Sequence, residues 1–327
     1  MNQSPSRRGA LAVLAALCLL AAQAAPAQER PPVKLLVGFP AGGSTDALAR
    51  LMADKLKPLL GQPVVVENRP GVAGRVATIA VKDAGPQDTV LMVAPNAIIT
   101  QQLLYPATVL KYDLLTDLQP LAVIASYAQA MAVHPGTGVK NARQYIEWAR
   151  ADKSRGLFGN GGLGSESHFY GVELGRAAGV PLQVVPYRGN GPMVVDLLGG
   201  QVQAGIAASG DLVQHLQAGK LQAIGVFGER RSPLMPEVPT MLEQGFKVAG
   251  PEPWTGVWAS AKLPRAEAQR LQNALREVLA MPDVRELLAT RYVALADFRP
   301  GDEMDRMIRR ELEHWGPVIK ASGYKPE

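Results

Sequence analysis

Two segments of the chain place glycine and hydroxyl residues between a short apolar run and a stretch of helical period. The first reads Phe39-Pro40-Ala41-Gly42-Gly43-Ser44-Thr45-Asp46. The second reads Gly159-Asn160-Gly161-Gly162-Leu163-Gly164-Ser165-Glu166-Ser167-His168. Glycine lets a ligand approach the backbone closely, and the first N–H groups of a helix have no partner inside it. Because the helix dipole adds to those donors, both segments are candidate anion sites.

A capped helix without a ligand is the other interpretation of these segments. Ser44, Thr45 and Asp46 are all good capping types, so both interpretations of the first segment stay open. In the second segment His168 stands one turn after Ser165, where we favour capping over catalysis.

Two further turns of similar composition precede predicted helices. One is Tyr187-Arg188-Gly189-Asn190-Gly191-Pro192, in which the proline suits a first helical turn, and the other is Ser209-Gly210-Asp211. Four such turns around one cleft favour a receptor that binds an anion mainly through backbone N–H groups. Tyr187 and Gly189 therefore join the candidate ligand-binding residues.

Other anion-binding chemistries fit less well. Gly159, Gly161 and Gly164 match the dinucleotide spacing G-x-G-x-x-G, but that fingerprint needs an acidic residue at the end of the next strand. The next predicted strand ends Val184-Val185-Pro186-Tyr187-Arg188, without a carboxylate. No lysine follows a glycine run as in a P-loop. We therefore expect no cofactor.

The sequence gives little support for catalysis or for a metal site. Its histidines are His134, His168, His215 and His314. They are too scattered for a metal cluster, and no G-x-S-x-G elbow is present. The single cysteine, Cys18, lies in the predicted leader, which excludes a cysteine nucleophile from the mature chain. A hydrolase on this fold would require Ser165 and His168 to contact each other.

Apolar runs of strand length alternate with amphipathic helical segments, which predicts an α/β architecture with parallel sheets and helices on both faces. The predicted strands are Val33–Val37, Val64–Glu67, Val90–Ala94, Leu121–Ala125, Ala130–Val133, Gly156–Phe158, Val184–Tyr187, Ala204–Ala207, Ala223–Phe227 and Gly256–Ala259. After Pro264 the chain is predicted to be nearly all helical, over Arg265–Ala280, Pro282–Thr290 and Pro300–Ala321.

Two places predict crossings between domains. Near Ser126-Tyr127 two apolar runs follow each other without a helix, and Gly250-Pro251-Glu252-Pro253 forms a second break. The predicted division is a first domain of residues 28–126 and 252–327 and a second domain of residues 127–251. Because open α/β sheets bind ligands at the carboxyl ends of their strands, the two domains would enclose the cleft.

The N-terminus has the pattern of an export signal. Arg7-Arg8 precede an apolar run, and Ala25-Pro26-Ala27 is a small-x-small cleavage site. The run is shorter than the roughly 20 residues that span a bilayer, so we predict a signal peptide over residues 1–27, cleaved before Gln28. General and twin-arginine export both stay open. Loss of the leader's two arginines lowers the formal net charge from +5 to +3, and no basic block indicates nucleic-acid binding.

A series of short motifs follows a fixed order along the chain. After the first segment these are Val64-Val65-Val66-Glu67-Asn68-Arg69-Pro70-Gly71, Gly164-Ser165-Glu166-Ser167-His168, Val185-Pro186-Tyr187-Arg188-Gly189, Asp196-Leu197-Leu198-Gly199-Gly200-Gln201-Val202, Ala218-Gly219-Lys220-Leu221, Arg231-Ser232-Pro233, Pro236-Glu237-Val238-Pro239-Thr240 and Trp315-Gly316. In this order they resemble receptors of the tripartite tricarboxylate transporters, also called the Bordetella uptake gene family. The resemblance covers essentially the whole mature chain.

The resemblance implies an exported two-domain periplasmic binding protein, a type II-like "Venus flytrap" with its ligand cleft between the domains. In the family, backbone N–H groups of two glycine loops hold a carboxylate, often through ordered waters. The matching loops are Phe39–Asp46 and Gly162–His168. By the same match, Asp46 orients waters or meets a ligand's amino or hydroxyl group. Ser165 is a capping hydroxyl and a direct ligand donor.

Two departures from the family pattern bear on specificity. After Pro70-Gly71 the family usually has another glycine-rich helix start, whereas this chain reads Val72-Ala73-Gly74-Arg75. Arg75 either faces solvent, which we favour, or adds a positive charge to the cleft. The family commonly has an Asp-Asn pair where this chain reads Ala207-Ala208, so one cleft wall loses polar contacts. The particular carboxylate does not follow from the sequence.

We interpret the chain as a periplasmic receptor that captures a small organic carboxylate and delivers it to a tripartite tricarboxylate-type membrane permease. Contacts made only in a closed form would drive the shift from an open to a closed cleft. The expected partners are the organic acid and, transiently, the permease subunits, and we expect a monomer. The alternative is a carboxylate sensor that presents its closed form to a membrane histidine kinase.

Overall fold

The strands and helices are described by a computed structural model that covers residues 30–71, 74–292 and 294–326. The predicted signal peptide and its cleavage site lie outside the described residues, as do Val72 and Ala73. Residues from Pro32 onward form one compact unit, and both sheets lie within it.

The strands of the described part are β1 (Val33–Val37), β2 (Val64–Asn68), β3 (Val90–Pro95), β4 (Leu118–Tyr127), β5 (Gln129–Val133), β6 (Leu157–Asn160), β7 (Gln183–Pro186), β8 (Ala204–Ala208), β9 (Gln222–Val226), β10 (Trp254–Ser260) and β11 (Ala294–Pro300). The α-helices are α1 (Ser44–Leu60), α2 (Arg75–Lys82), α3 (Ile98–Leu104), α4 (Ala107–Leu110), α5 (Ala142–Ala151), α6 (Glu166–Ala178), α7 (Asn190–Leu198), α8 (Ser209–Gln217), α9 (Arg265–Ala280), α10 (Pro282–Leu287) and α11 (Gly301–Ser322). Short 3₁₀ turns occur at Pro135–Thr137 and Lys153–Arg155, and a π-helical turn spans Leu288–Tyr292. Across these residues, no helix combines the length and the apolar character needed to cross a membrane.

The first sheet has six strands in the order β11-β4-β10-β3-β1-β2. β1 runs parallel to both neighbours, with Leu35 opposite Val66 of β2 and Leu91 of β3. β10 runs antiparallel to β3 and β4, and Val257 lies opposite Val93. These strands are nearly continuous apolar runs, as expected for strands that are covered on both faces.

The second sheet has five strands in the order β7-β6-β8-β5-β9. β6 runs parallel to β7 and β8, with Phe158 opposite Val184. β5 runs antiparallel to β8 and β9, with Met131 opposite Ile206. The chain enters this sheet through Ala128, between β4 and β5, and returns to the first sheet between β9 and β10.

Both sheets are mixed, so the prediction of parallel sheets was wrong for the strands next to the crossings. β4 ends on the side of the first sheet where the carboxyl ends of β1 and β3 also lie, and the chain leaves the sheet there. β10 begins on that same side. β10 must therefore run opposite to β4. The same constraint reverses β5, because the chain enters the second sheet on the side where β6 and β8 end.

Every strand predicted from the sequence is present, with ends that differ by at most three residues. β11 was missed, because the chain after Pro264 was predicted to be nearly all helical. It is an edge strand beside β4 with an irregular register between Ala296 and Arg299. The Arg299 side chain forms an ion pair with Asp297 of the same strand. Charges and irregular pairing are common on edge strands, and they obscure the alternating pattern that identifies a strand.

Helices cover both faces of each sheet, as predicted. On the first sheet, α1 and α9 pack on one face and α2, α3 and α11 on the other. On the second sheet, α5 and α6 pack on one face and α7 and α8 on the other. The last turns of α11 leave the first sheet, because Trp315 and Ile319 belong to the core of the second. α11 therefore packs against both sheets.

We expect Trp315→Ala to lower the free energy of unfolding by about 3–5 kcal/mol, because it leaves a cavity in a well-packed core. The Trp315 ring is fully buried and lies edge-on to Tyr170, with ring centroids 5.2 Å apart. Urea denaturation measures the change. Val195→Ala is the control, since Val195 is 66% exposed, and it should change the free energy by less than about 0.5 kcal/mol. Equal losses in the two variants would contradict the packing role of α11.

Candidate functional site

The two predicted loops enter their helices through the same turn. Gly42 has a φ of 91°, and its N–H donates to Oδ2 of Asp46 at 3.0 Å. Gly164 has a φ of 75°, and its N–H donates to Nδ1 of His168 at 3.1 Å. In each loop the acceptor lies four residues after the glycine, and an extended N-cap residue follows the glycine. A positive φ of this size favours glycine, which explains the glycine at this position of both loops.

Asp46 fixes the shape of the first loop. Its buried carboxylate accepts the Gly42 N–H, two bonds of 3.0 Å from the Arg50 guanidinium and one of 2.9 Å from Nδ2 of Asn68. Asn68 also donates to the carbonyl oxygen of Phe39. Burial acts to raise the pKa of Asp46, but these hydrogen bonds, led by those from Arg50, outweigh it and lower the pKa. The carboxylate is therefore charged and bound to the loop itself.

Asn160, the last residue of β6, fixes the shape of the second loop. Its Nδ2 donates to the Gly162 carbonyl at 2.9 Å and to Oγ of Ser165 at 3.0 Å, and its Oδ1 accepts the Gly162 N–H. Ser165 donates its hydroxyl proton to the Gly162 carbonyl at 2.7 Å. Ser165 is thus the N-cap of α6 by its backbone, while its hydroxyl binds the loop rather than the first-turn N–H groups.

His168 lies buried beneath the second loop, with its ring edge-on to Tyr324. Burial lowers the pKa of His168 to about 4, so the ring is neutral at pH 7 and Nδ1 can accept the Gly164 N–H. Ser165 gives its proton to Gly162, and Nδ1 of His168 is occupied by Gly164. The two side chains therefore hold the loop in place and do not form a nucleophile and its base.

Each loop also contacts an element of the other sheet. Asp211, in the first turn of α8, lies beside Ser44, and the hydroxyl and backbone N–H of Ser44 act to lower the pKa of its carboxyl group. Nδ2 of Asn190, the first residue of α7, donates to the same carboxylate at 2.7 Å. Oγ1 of Thr100, in α3, donates to the Gly164 carbonyl at 2.7 Å. The bond from Thr100 therefore joins a helix of the first sheet to the second loop, and Ser44 lies against a helix of the second sheet.

The sheets are closely apposed around Asp211. A Cβ atom on Gly210 would lie 2.4 Å from the carbonyl oxygen of Tyr292. A cavity of about 40 Å³ beside this contact is lined in part by Ser44 and Ala208. That volume holds roughly two or three waters. Burial raises the pKa of Asp211, although the hydrogen bond from Asn190 and the polar groups of Ser44 act in the opposite direction.

A pair of buried carboxyl groups lies between α6 and α11. Oε1 of Glu166 has no hydrogen-bond partner in the described residues, whereas Glu311 accepts from Nδ2 of Asn96 at 2.8 Å and from Nε1 of Trp254. Burial and the neighbouring Glu311 raise the pKa of Glu166 well above its usual range. Burial also raises the pKa of Glu311 to about 7. In the described part of the chain, no three His, Cys, Asp or Glu side chains come together as a metal site.

The turn between β7 and α7 lies next to the second loop. The N–H of Tyr187 donates to the Asn160 carbonyl, and that of Gly189 donates to the Gly161 carbonyl, both at 2.9 Å. The Tyr187 hydroxyl donates to Asp196. The structure thus brings Tyr187 and Gly189 together with the second predicted loop.

The two departures from the family pattern concern Arg75 and the pair Ala207-Ala208. Arg75 donates from its guanidinium to the Val109 carbonyl of α4 at 3.3 Å. Ala207 is fully buried in the second sheet's core, and Ala208 is the N-cap of α8. Trp254, at the second crossing, is also fully buried, and its ring stacks on Trp258.

The residues that brace and link the loops were not among the predicted site residues: Arg50, Asn68, Thr100, Asn160, Asn190 and Asp211. A signal existed for Asn190 and Asp211, because polar side chains in the first turn of a helix often bind backbone N–H groups. Thr100 had no comparable local signal, since its partner lies 64 residues further along the chain.

Comparisons with known proteins agree on one group of relatives. The family described as "Tripartite tricarboxylate transporter family receptor" matches residues 48–324. Protein BugT of Bordetella pertussis is 32% identical over 321 residues, which cover 96% of this chain and 98% of BugT. The periplasmic binding protein BugD superposes with a TM-score of 0.83 at 28% identity, covering 90% of this chain and 99% of BugD. Rpa4515 of R. palustris, solved with adipate, superposes with a TM-score of 0.85 at 28% identity, covering 93% and 100%. The predicted periplasmic binding protein fold is thereby confirmed.

Acidification should lower the free energy of unfolding, because His168 binds a proton more readily in the unfolded chain than in the folded one. Its pKa falls from an ordinary 6.5 to about 4 on folding, so the unfolded chain binds more protons between those pH values. The contribution of His168 to the free energy of unfolding is fully present above pH 6.5. It is lost as the pH falls toward 4, by up to roughly 3 kcal/mol. Urea denaturation at half-unit pH steps should show this loss in the native chain. His168→Gln, whose amide does not titrate, should show a flatter profile over the same range. Parallel profiles would contradict this assignment.

Proposed function

Because this chain belongs to the tripartite tricarboxylate transporter receptor family, we propose that it captures a small organic carboxylate in the periplasm and delivers it to a membrane permease. The observation that carries the proposal is the matched pair of glycine loops. Each is held by a bond from a glycine N–H to a side chain one turn later, and each leads into a helix N-terminus.

The loops have the donors that a carboxylate requires. The first intrahelical bond of α1 runs from Ala47 to Gly43, so the N–H groups of residues 44–46 precede the helical ladder. In α6 the N–H groups of Glu166 and Ser167 stand in the same position. Pro40–Gly43 are exposed, so a ligand can reach the first loop from solvent. An anion at such donors also interacts favourably with the helix dipoles.

Adipate in the solved relative Rpa4515 supports an organic acid as the ligand of this chain. The proposed ligand-binding residues are Phe39–Asp46 in the first loop, Gly162, Leu163, Gly164, Ser165 and His168 in the second, and Tyr187 and Gly189. Binding of this kind uses backbone N–H groups and hydroxyls and needs no covalent step. We propose that the receptor is an exported monomer, with its signal peptide cleaved before Gln28.

Each sheet with its helices forms one domain in this proposal. The division is the one predicted from the sequence, residues 28–126 with 252–327 and residues 127–251, and its boundaries lie close to the crossings at Ala128 and before Trp254. α11 connects the domains, since it packs on both sheets. The contact of Ser44 with Asp211 and the bond from Thr100 to Gly164 then belong to a closed form, and ligand binding favours that form.

Gly42→Ala should weaken the binding of organic acids by about tenfold or more, because alanine disfavours the φ of 91° that shapes the loop. Isothermal titration with mono- and dicarboxylates measures the change. Gly61→Ala is the matched control: Gly61 also has a positive φ and open space for a methyl group, but it ends α1 away from the loop. If both variants bind as the native chain does, the first loop is not the site. If no acid binds the native chain, the proposed function is wrong.

Gly210→Ala should hinder closure, because its methyl group would collide with the Tyr292 carbonyl. We expect the affinity for organic acids to fall by about tenfold, with little change in the melting temperature of the free protein. Small-angle scattering should show a larger radius of gyration for the acid-saturated variant than for the acid-saturated native chain. Gly199→Ala is the control, since its added Cβ has no neighbour closer than 3.5 Å. An unchanged affinity in Gly210→Ala would contradict closure at this contact.

A further inference from the structure

A small cavity lies between the first turn of α1 and the start of α8. It is the cavity of about 40 Å³ beside Gly210 and Tyr292. Its wall includes Ser44 and Thr45, which are the first two residues of α1 and belong to the first glycine loop. The cavity therefore adjoins the first-turn N–H groups that, in the proposed function, bind the carboxylate of the ligand.

Hydrocarbon groups form much of the cavity wall. The purely aliphatic side chains that line it are Leu48, Ala125, Ala208, Leu288 and Ala294. All of these except Ala208 are buried. The polar side chains on the wall are hydroxyls, and none of the described residues that line the cavity carries a charged side chain. A hydrocarbon group that replaces water against such a wall is stabilised by the hydrophobic effect.

The volume and the lack of charged lining side chains restrict what a ligand can place in this cavity. About 40 Å³ has room for roughly two or three waters, and hence for about as many carbon atoms. A carboxylate in the same space would lose its hydration without gaining a cation from the described wall, which is costly. The cavity thus favours the short apolar end of a molecule over a second acidic group.

Resting on the proposed function, we propose that this cavity holds the hydrocarbon end of the ligand, so that the chain is a receptor for short-chain monocarboxylates. The carboxylate of the ligand binds the first-turn N–H groups of α1. Its tail of about two or three carbons lies against Leu48, Ala208 and Leu288. Propionate and butyrate have tails of this length. Diacids are disfavoured, because their second carboxylate would enter an uncharged and largely apolar cavity.

Isothermal titration of the purified mature protein with two series of acids tests this inference. The monoacids run from acetate to hexanoate, and the diacids malonate, succinate and adipate match propionate, butyrate and hexanoate in their number of carbons. We expect the affinity to rise by about fourfold for each carbon added up to butyrate. It should fall for hexanoate, whose tail is longer than the cavity. Butyrate should bind about tenfold or more tightly than succinate.

Two substitutions of Ala208 change the size of the cavity in opposite directions. Ala208→Val adds two methyl groups to the wall, so it should lower the affinity for butyrate by about tenfold and leave that for acetate nearly unchanged. Ala208→Gly removes one methyl group, so it should lengthen the preferred acid by about one carbon. Ala208 is the N-cap residue of α8, a position that glycine also suits, so this variant should fold.

Ala218→Val is the matched control, because it makes the same substitution at the exposed C-cap of α8. It should leave the dependence of affinity on chain length unchanged. A native chain that binds succinate as tightly as butyrate would overturn the inference, and the proposed function would stand. The same chain-length dependence in both Ala208 variants as in the native chain would also overturn it. If neither series of acids binds the native chain, the proposed function fails and this inference fails with it.

Discussion

The bond from a glycine N–H to a side chain one turn into the helix is the interaction on which the site depends. Glycine allows a loop many backbone conformations, and this bond holds each loop in the one seen here. The first-turn N–H groups are therefore oriented before any ligand arrives. The acceptors differ in charge: Asp46 is ionised and attracts Arg50, whereas His168 accepts only while it is neutral. The same turn therefore uses a negatively charged acceptor in the first loop and a neutral acceptor in the second.

The crossings of the chain determine most of the remaining architecture. The chain leaves and re-enters each sheet on the side where the parallel strands end, so the strands beside the crossings run in the opposite direction. The loops that follow the parallel strands lie on that same side. This arrangement brings Thr100 within hydrogen-bonding distance of Gly164 and places Ser44 beside Asp211. The site is therefore a consequence of topology as much as of the loops themselves.

The sequence predicted the parts of the fold that depend on local pattern. The apolar runs located the buried strands, and glycine next to capping residues located the two loops. It could not predict β11, whose charged residues conceal its alternation, or the reversed strands, whose direction depends on where the chain returns. Local sequence also could not show that Asn160 and Asp46 bind the loops from within, since those bonds require the folded turn. Asp211 illustrates the same limit, because its neighbour Ser44 is distant in sequence.

The central position of β10 bears on the order in which the molecule becomes structured. β10 lies between β4 and β3, yet it begins roughly three-quarters of the way along the chain. Until it is synthesised, the first sheet remains in two fragments, and the core of the second still lacks Trp315. Contacts between residues so far apart in sequence form slowly. Neither sheet can therefore mature as an independent nascent unit, and both complete their hydrophobic cores only when the last helix is available.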